Sequence, residues 1–147
     1  MVGDNYNGTI SNSYSLGDAS GSEEVGGLVG VNQDEGKILT SYSTGQPSGE
    51  EDVGGLVGVN GAEIENSYWD KDSSSKEEGV GRGPSDGAMG LSAEEMTGAA
   101  AEDNMPRFDF TEIWETIDAS SEDAEFDAHP ILQPLDRQKQ IDAQNHP

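Results

Sequence analysis

The eight residues VGGLVGVN occur twice without change, at positions 25–32 and again at positions 53–60. A second block recurs in phase with the first: ISNSYS at 10–15, ILTSYS at 38–43 and IENSYW at 64–69. The interval from Ile10 to Ile38 equals that from Val25 to Val53, and the next interval, from Ile38 to Ile64, is slightly shorter. Repeats of about 20 to 50 residues are typical of solenoids and stacked arrays. The pattern therefore predicts a mainly β fold, a short parallel β-solenoid with coils of about 28 residues.

The Ile-containing block alternates in the way that a β-strand requires. Ile10 and Tyr14 share one face of such a strand, while Ser11 and Ser13 lie on the other face. We therefore expect Ile and Tyr to fill the interior of each coil. The serines, including Ser41 of the second copy, are expected to face outward.

The block VGGLVGVN requires a bend. Leu28 and Val29 are neighbours, and neighbours on a straight strand point to opposite faces. A bend at Gly27 or Gly30 lets both side chains point inward, because glycine tolerates corners and bulges. The complete predicted repeat core is Ile10, Tyr14, Leu28, Val29, Ile38, Tyr42, Leu56, Val57, Ile64 and Tyr68.

Stacked coils bring equivalent residues to a separation of about 4.8 Å along the axis. Columns of Ile and Tyr side chains follow, and Asn32 with Asn60 is expected to form a ladder of side-chain amides. Two tandem β-hairpins without stacked coils remain the alternative. Glycine-rich strand pairs also build hairpins, and the third repeat is shorter than the others.

These repeats resemble the GLUG-motif family, which is found in bacterial and archaeal surface proteins. The resemblance is carried by GGLVGVNQDEGKILTSYSTG at 26–45 and GGLVGVNGAEIENSYWD at 54–70. Downstream, SYWD, GLSAEEM, FDFTEIWETID and HPILQ resemble the segment that closes such arrays, with His129 where that segment usually has Tyr. The resemblance implies a β-solenoid that serves as a spacer, stalk or adhesin segment of an extracellular or cell-surface protein.

Four segments follow from this pattern: repeats at 1–69, a polar loop at 70–90, a capping segment at 91–135 and a polar tail at 136–147 that is either frayed or helical. In the capping segment, Ser92 and Glu95 have the spacing of a capping box, which predicts one short helix from Ala93 to about Ala101. FDFTEIWETI at 108–117 alternates like a strand, and PILQPL at 130–135 is its predicted partner.

The composition is strongly acidic, with 30 Asp and Glu against 7 Lys and Arg and a net charge of −23. Nucleic acid is excluded as a partner, because a polyanion would be repelled. Such a charge is typical of disorder or of a halophilic surface that concentrated cations screen, and the identical apolar blocks favour the halophilic interpretation. No apolar run approaches the roughly 20 residues of a membrane helix, so membrane insertion is not expected. No signal segment opens the sequence as written.

No catalytic constellation is recognisable, and we predict that the chain is not an enzyme. The two histidines, His129 and His146, both adjoin proline and have no spaced partner, so His129 is interpreted as a packed aromatic substitute. The stretch DKDSSSKEEGVG from Asp70 begins like a calcium loop. It has Ser75 in place of the turn glycine and Gly81 in place of the bidentate glutamate, so no calcium site is expected there.

The stacked acids are the weak candidates for a metal site. Glu23 and Glu24 precede Glu51 and Asp52 by one repeat. Weakly bound cations are therefore the only cofactor that the sequence suggests. A solvated acidic edge is the favoured interpretation of the same residues.

The predicted function is that of a non-catalytic structural and adhesive repeat module adapted to high salt. The alternative is a glycan-binding or carbohydrate-active β-solenoid, in which tyrosines, Trp69 and carboxylates would line a groove. A glycan or a surface protein is the expected partner. Self-association is also expected, because VGDN at 2–5 aligns with VGVN at 29–32 and leaves the first coil with an open strand edge.

Overall fold

The chain divides into two compact units, Met1–Leu91 and Ser92–Pro147. The structure, a computed structural model, describes residues 1–119 and 128–145. The first unit is a parallel β-solenoid of about three turns, as the repeat predicted. The second unit contains short helices and one antiparallel pair of strands.

Each coil of the first unit consists of short strands separated by corners. The first coil contains β1 (Val2–Tyr6), β2 (Thr9–Ser11), β3 (Tyr14–Ser15), β4 (Ala19–Ser20) and β5 (Glu23–Gly26). The second contains β6 (Val29–Gln33), β7 (Lys37–Leu39), β8 (Tyr42–Ser43), β9 (Pro47–Ser48) and β10 (Glu51–Gly54). The third contains β11 (Val57–Asn60), β12 (Glu63–Glu65), β13 (Ser67–Asp70) and the one-turn helix α1 (Lys71–Ser74). Two further strands, β14 (Val80–Arg82) and β15 (Ala88–Leu91), follow.

Equivalent strands of successive coils pair in parallel and in register. Val29 pairs with Val2 of the preceding coil and with Val57 of the following coil. The Ile-containing strands stack in the order β12, β7, β2, and the Tyr-containing strands in the order β15, β13, β8, β3. The hairpin alternative is therefore wrong for this unit, because hairpins pair antiparallel strands.

The bend predicted in VGGLVGVN lies at Gly27 and Leu28, between β5 and β6. A Cβ atom at Gly27 would collide with the carbonyl oxygen of Gly55 in the next coil, so only glycine fits this corner. As a result, Leu28 and Val29 are both buried in the same interior cluster. That cluster comprises Leu28, Val29, Ile38, Leu56, Val57, Ile64, Trp69 and Val80.

A second corner separates the Ile-containing strand from the Tyr-containing strand. Asn12, Thr40 and Asn66 occupy this corner in successive coils, with φ angles of 46°, 44° and 47°. These values belong to the left-handed region, in which a residue interrupts the alternation of a strand. Ile and Tyr therefore do not share a face, although the alternation of a regular strand predicted that they would.

The predicted faces of the SYS segment are corrected accordingly. Ser43 points into the coil, where its Oγ donates to the carbonyl oxygen of Gly55 at 2.7 Å. Its neighbour Tyr42 consequently lies on the opposite face of the sheet. Ser41, which was expected to face outward, is fully buried, and its Oγ accepts a hydrogen bond from the Ser13 amide at 3.1 Å.

The segment expected to be a polar loop continues the parallel stack as far as Leu91. Val80 of β14 pairs with Val57, and Ala88 of β15 pairs with Ser67. Gly87, with φ of 84°, then takes the corner position that Asn66 occupies one coil earlier. The sequence did not reveal these strands because they follow their partners at shorter intervals than those of the visible repeat.

The second unit begins with the predicted capping box. The Ser92 hydroxyl accepts from the Glu95 amide, and the Glu95 carboxylate accepts from the Ser92 amide. A short helix does begin at Ala93, as predicted, but it does not extend to Ala101. The segment forms two helices, α2 (Ala93–Met96) and α3 (Ala100–Asn104). The chain bends between them at Gly98, which has a φ of 56°.

The predicted strand at 108–117 is only half correct. β16 covers Trp114–Ile117 and pairs antiparallel with β17 (Ala128–Leu132). The preceding residues form a turn, in which the Asp109 carboxylate accepts from the amides of Thr111 and Glu112. The hydrogen bond from the Thr111 side chain and these two amide bonds lower the pKa of Asp109. The polar tail forms helix α4 (Arg137–Asn145).

Candidate functional site

Eight of the ten predicted repeat-core residues are buried, namely Leu28, Val29, Ile38, Tyr42, Leu56, Val57, Ile64 and Tyr68. Ile10 and Tyr14, both in the first coil, are half-buried. Ile10 still packs against the interior cluster. The tyrosines are absent from that cluster and form a column of their own, which is consistent with their position on the opposite face.

A continuous ladder of asparagine amides runs through the three coils. Asn5 Nδ2 donates to Asn32 Oδ1 at 2.8 Å, and Asn32 Nδ2 donates to Asn60 Oδ1 at 2.9 Å. Asn60 Nδ2 ends the ladder on the carbonyl oxygen of Pro84 at 2.8 Å. Because Asn32 is fully buried, its side-chain amide loses its hydration on folding. The bonds to Asn5 and Asn60 replace the lost bonds to water. The amide ladder predicted for Asn32 and Asn60 is thus confirmed and extends to Asn5.

The three tyrosines of the column all have raised pKa values. The rings of Tyr14 and Tyr42 are stacked, with centroids 5.2 Å apart and planes 7° from parallel. Burial raises the pKa of Tyr42 well above its ordinary value of 10.0, and the charge of Tyr14 raises it further. Burial also raises the pKa of Tyr14 and of Tyr68. Tyr42 therefore remains a neutral phenol at any pH near neutrality.

The candidate acidic residues lie at one corner of the coil, where an arginine joins them. Glu23 pairs in register with Glu51, while Glu24 and Asp52 both have left-handed φ angles, 58° and 52°. Arg82 Nε lies 3.0 Å from Asp52 Oδ2, and Arg82 Nη2 lies 3.8 Å from Glu24 Oε1. A protein cation thus bridges two of the acids proposed for a metal. Sequence reasoning missed this role, because Arg82 lies outside the visible repeat.

Trp69 lies inside the solenoid. It occupies the register position of Ser43, belongs to the interior cluster and is only 7% exposed. Its Nε1 donates to the carbonyl oxygen of Lys76 at 2.9 Å. Trp69 therefore does not line a groove, as the glycan-binding alternative would require.

The stretch that begins like a calcium loop forms a capped helical turn. Asp70 is fully buried, and its Oδ1 accepts from the amides of Asp72 at 2.9 Å and Ser73 at 3.1 Å. Asp70 is therefore the N-cap of α1, and Ser75 closes the turn with a φ of 56°.

His129 lies half-buried on β17, where Gln144 of α4 holds its backbone. The His129 amide donates to Gln144 Oε1 at 2.9 Å, and Gln144 Nε2 donates to the His129 carbonyl at 3.1 Å. His146, the second candidate, lies outside the described residues.

Within residues 1–119 and 128–145, no group of three or more His, Asp or Glu side chains is arranged to hold a metal ion. None of the described helices is long and apolar enough to cross a membrane. No protein-family model, curated protein or solved structure matches the chain.

Proposed function

We propose that the chain is a non-catalytic structural and adhesive repeat module of a cell-surface or secreted protein that works at high salt. The observation that carries the proposal is the in-register stacking of identical side chains, above all the buried amide ladder of Asn5, Asn32 and Asn60. A ladder of this kind makes one coil the template for the next, which suits a rigid spacer.

The buried serines and Asp70 support a structural role, because their side chains form hydrogen bonds with main-chain groups. Ser41 and Ser67 accept from or donate to main-chain groups, Ser43 reaches the Gly55 carbonyl, and Asp70 caps α1. A catalytic solenoid would instead hold carboxylates or a histidine with altered acidity in a cleft. Tyr14, Tyr42 and Tyr68, whose pKa values are raised, instead form a stacked column.

The same repeats support membership of the GLUG-motif family and, through it, a location outside the cell. The features that support this proposal are the glycine corner at Gly27 and the identical core of VGGLVGVN in two successive coils. The partner proposed for the module is a glycan or another surface protein.

The acidic surface supports adaptation to salt. Glu23 and Glu51 are register partners, and at about 5 Å each such pair of like charges repels by roughly 1 kcal/mol in water. Molar salt shortens the screening length to about 3 Å. The melting temperature should therefore rise steeply between low and molar KCl. Sucrose at equal osmolality is the control, because it strengthens burial without screening charge.

A panel of polysaccharides tests the functional class. The full chain, held in molar KCl, is assayed against each polymer for binding and for release of new reducing ends. Binding without cleavage supports an adhesive module. Reproducible cleavage would refute the proposal in favour of the carbohydrate-active alternative. A melting temperature that does not change with KCl would refute the adaptation to salt and leave the adhesive role untouched.

A further inference from the structure

One edge of the antiparallel pair in the second unit is covered by side chains of a helix. Strand β17 pairs with β16 along its first edge, and no described strand pairs with its second edge. Two glutamines of α4, Gln140 and Gln144, bind the main chain of β17 there. The main chain of an edge strand is a template for pairing with another strand, so the cover has a consequence for assembly.

Each glutamine makes the two hydrogen bonds that a residue of a neighbouring strand would make. Gln140 Oε1 accepts from the Leu132 amide at 2.9 Å, and Gln140 Nε2 donates to the Leu132 carbonyl at 2.9 Å. Gln144 binds the His129 amide and carbonyl in the same way, at 2.9 Å and 3.1 Å. Residues of a hydrogen-bonded pair in an antiparallel ladder exchange both main-chain bonds in this pattern. The side-chain amides of α4 therefore imitate two residues of a strand.

The sequence of α4 places both glutamines on the side that contacts the strands. Gln140 and Gln144 are one helical turn apart and therefore share a face. Ile141, beside them, is buried in a cluster with one residue of β16 and two of β17. Arg137, in the preceding turn, has its Nε 2.7 Å from Glu115 Oε1 on β16. The apolar contact and the ion pair hold the helix in the position from which its glutamines reach β17.

Strand β17 itself lacks the charged side chains that usually protect an exposed edge. Lysine and other charged residues keep the edge strands of natural proteins from pairing. The sequence of β17 is AHPIL, without Asp, Glu, Lys or Arg, in a chain with a net charge of −23. Pro130 has no amide hydrogen to offer, but the main chains of His129 and Leu132, on either side of it, do form bonds of the ladder type. The protection of this edge therefore depends on α4.

We propose that α4 is an autoinhibitory cover, in which Gln140 and Gln144 take the place of a neighbouring strand and keep β17 from pairing with the β17 of a second copy. The edge is self-complementary, because antiparallel pairing about a two-fold axis sets His129 of one copy opposite Leu132 of the other. Each of these residues offers one donor and one acceptor. Two strands without acidic residues also meet without like-charge repulsion. The inference concerns the second unit alone and is independent of the proposed surface role.

The test removes the two amides from the full chain with the double substitution Gln140→Leu/Gln144→Leu. Leucine is a good helix former whose side chain makes no hydrogen bonds. Gln138→Leu is the control, because Gln138 is exposed and its Nε2 donates to Asp142 within α4. In sedimentation velocity in molar KCl, the double variant should associate with a dissociation constant at least tenfold lower than those of the wild type and the control. Association through the first coil is common to all the variants and does not affect the comparison.

Hydrogen exchange and a third substitution distinguish edge pairing from a loss of folding. At concentrations where the double variant is monomeric, the His129 and Leu132 amides should exchange at least tenfold faster than in the wild type. Leu132→Pro, added to the double variant, removes a donor from the open edge and leaves the bonds to β16, because the Leu132 amide points away from β16. This triple variant should associate no more than the wild type.

Two results would overturn the proposal. The first is a double variant that associates no more than the control, whether or not its exchange is faster. The second is a triple variant that associates as strongly as the double variant, because its association would then come from unfolding or from added apolar surface.

Discussion

The substitution Asn32→Leu tests whether the amide ladder stabilises the solenoid. Leucine has as many side-chain heavy atoms as asparagine and the same branching at Cγ, but it neither donates nor accepts hydrogen bonds, so the change removes the ladder without opening a cavity. Asn32 makes two amide–amide bonds, to Asn5 at 2.8 Å and to Asn60 at 2.9 Å, and a third bond to the Glu63 carbonyl at 3.2 Å.

The expected loss in the free energy of unfolding depends on which hydrogen-bond partners remain after the substitution. Each lost bond costs about 1 kcal/mol net, and each buried group left without its partner adds about 1 to 3 kcal/mol. Asn5 Nδ2 keeps its hydrogen bond to the Gly8 carbonyl at 3.1 Å, and Asn60 Oδ1 keeps its bond from the Ala62 amide at 3.3 Å. These remaining bonds limit the cost of leaving buried groups without a partner. The free energy of unfolding should therefore fall by about 3 to 5 kcal/mol, a large part of the total stability of a typical domain, which is about 5 to 15 kcal/mol.

Denaturant titration in molar KCl measures this change, with Asn5→Leu as the matched control. Asn5 lies at the end of the ladder, where the same substitution breaks one amide–amide bond and the weaker bonds to the Gly8 and Lys37 carbonyls, at 3.1 Å and 3.4 Å. Its expected cost is about 2 to 3 kcal/mol. An Asn32→Leu variant within about 1 kcal/mol of the wild type, or no less stable than Asn5→Leu, would show that the ladder does not contribute to stability as argued.

Three further substitutions, two of them with a control variant, test the corrected faces, the corner and the tyrosine column. Ser41→Ala should destabilise by about 1 to 3 kcal/mol in denaturant titration, because it removes a buried acceptor. The exposed Ser11→Ala should stay within about 0.5 kcal/mol of the wild type. Thr40→Asn should raise the free energy of unfolding by about 0.5 to 1 kcal/mol, because asparagine adopts a positive φ at lower cost than a β-branched residue, and an unchanged midpoint would argue against strain. Because the pKa of Tyr42 is raised in the folded state, the stability linked to it is complete below pH 10 and is lost as the pH rises further. Tyr42→Phe should reduce the alkaline loss and leave the part due to Tyr14 and Tyr68, whose pKa values are also raised. The exposed Tyr6→Phe should not reduce it, as measured by unfolding midpoints between neutral and strongly alkaline pH.

The register of the solenoid could be predicted because equivalent residues pair directly. Ile38 was aligned with Ile10 and Ile64 from sequence spacing alone, and the strands pair in that register. The amide ladder follows for the same reason. Predicting the register requires only the positions that recur in the sequence, and it does not require the directions of their side chains.

Side-chain direction was harder to predict because it depends on backbone angles that the sequence conceals. Thr40 gives no sign of a left-handed corner, yet its φ of 44° reverses the faces of the residues that follow. Ser41 consequently turns inward. The asparagines at 12 and 66 were a usable signal, because asparagine tolerates positive φ better than most residues.

The four acids of the corner were predicted from their spacing, but the place of Arg82 among them could not be, because it depends on contacts across unequal intervals. The distances along the chain from Arg82 to Asp52 and to Glu24 match no multiple of the visible repeat. Likewise, the division of the predicted helix at Gly98 follows from a tertiary contact. The Gly98 amide donates to the carbonyl of Ala128 on β17, and a continuous helix would forgo that bond.

The contacts around the glycines explain why VGGLVGVN is identical in two coils and diverges in the next. In the middle of the stack, Gly26 and Gly58 have backbone atoms of neighbouring strands where a Cβ would lie, so even alanine is excluded. Farther along, Trp69 takes the place of Ser43, and its ring packs against Gly55, Gly79 and Gly90. A large side chain now fills the interior that Leu and Val fill elsewhere, so the block can diverge to EGVGRG while the parallel pairing persists. Of the block, the pair Val57 and Gly58 persists as Val80 and Gly81, and Gly81 still lies against the backbone of β10. Gly54 and Gly55 are replaced by Glu77 and Glu78, and Gly79 takes the place of Leu56 beside the Trp69 ring.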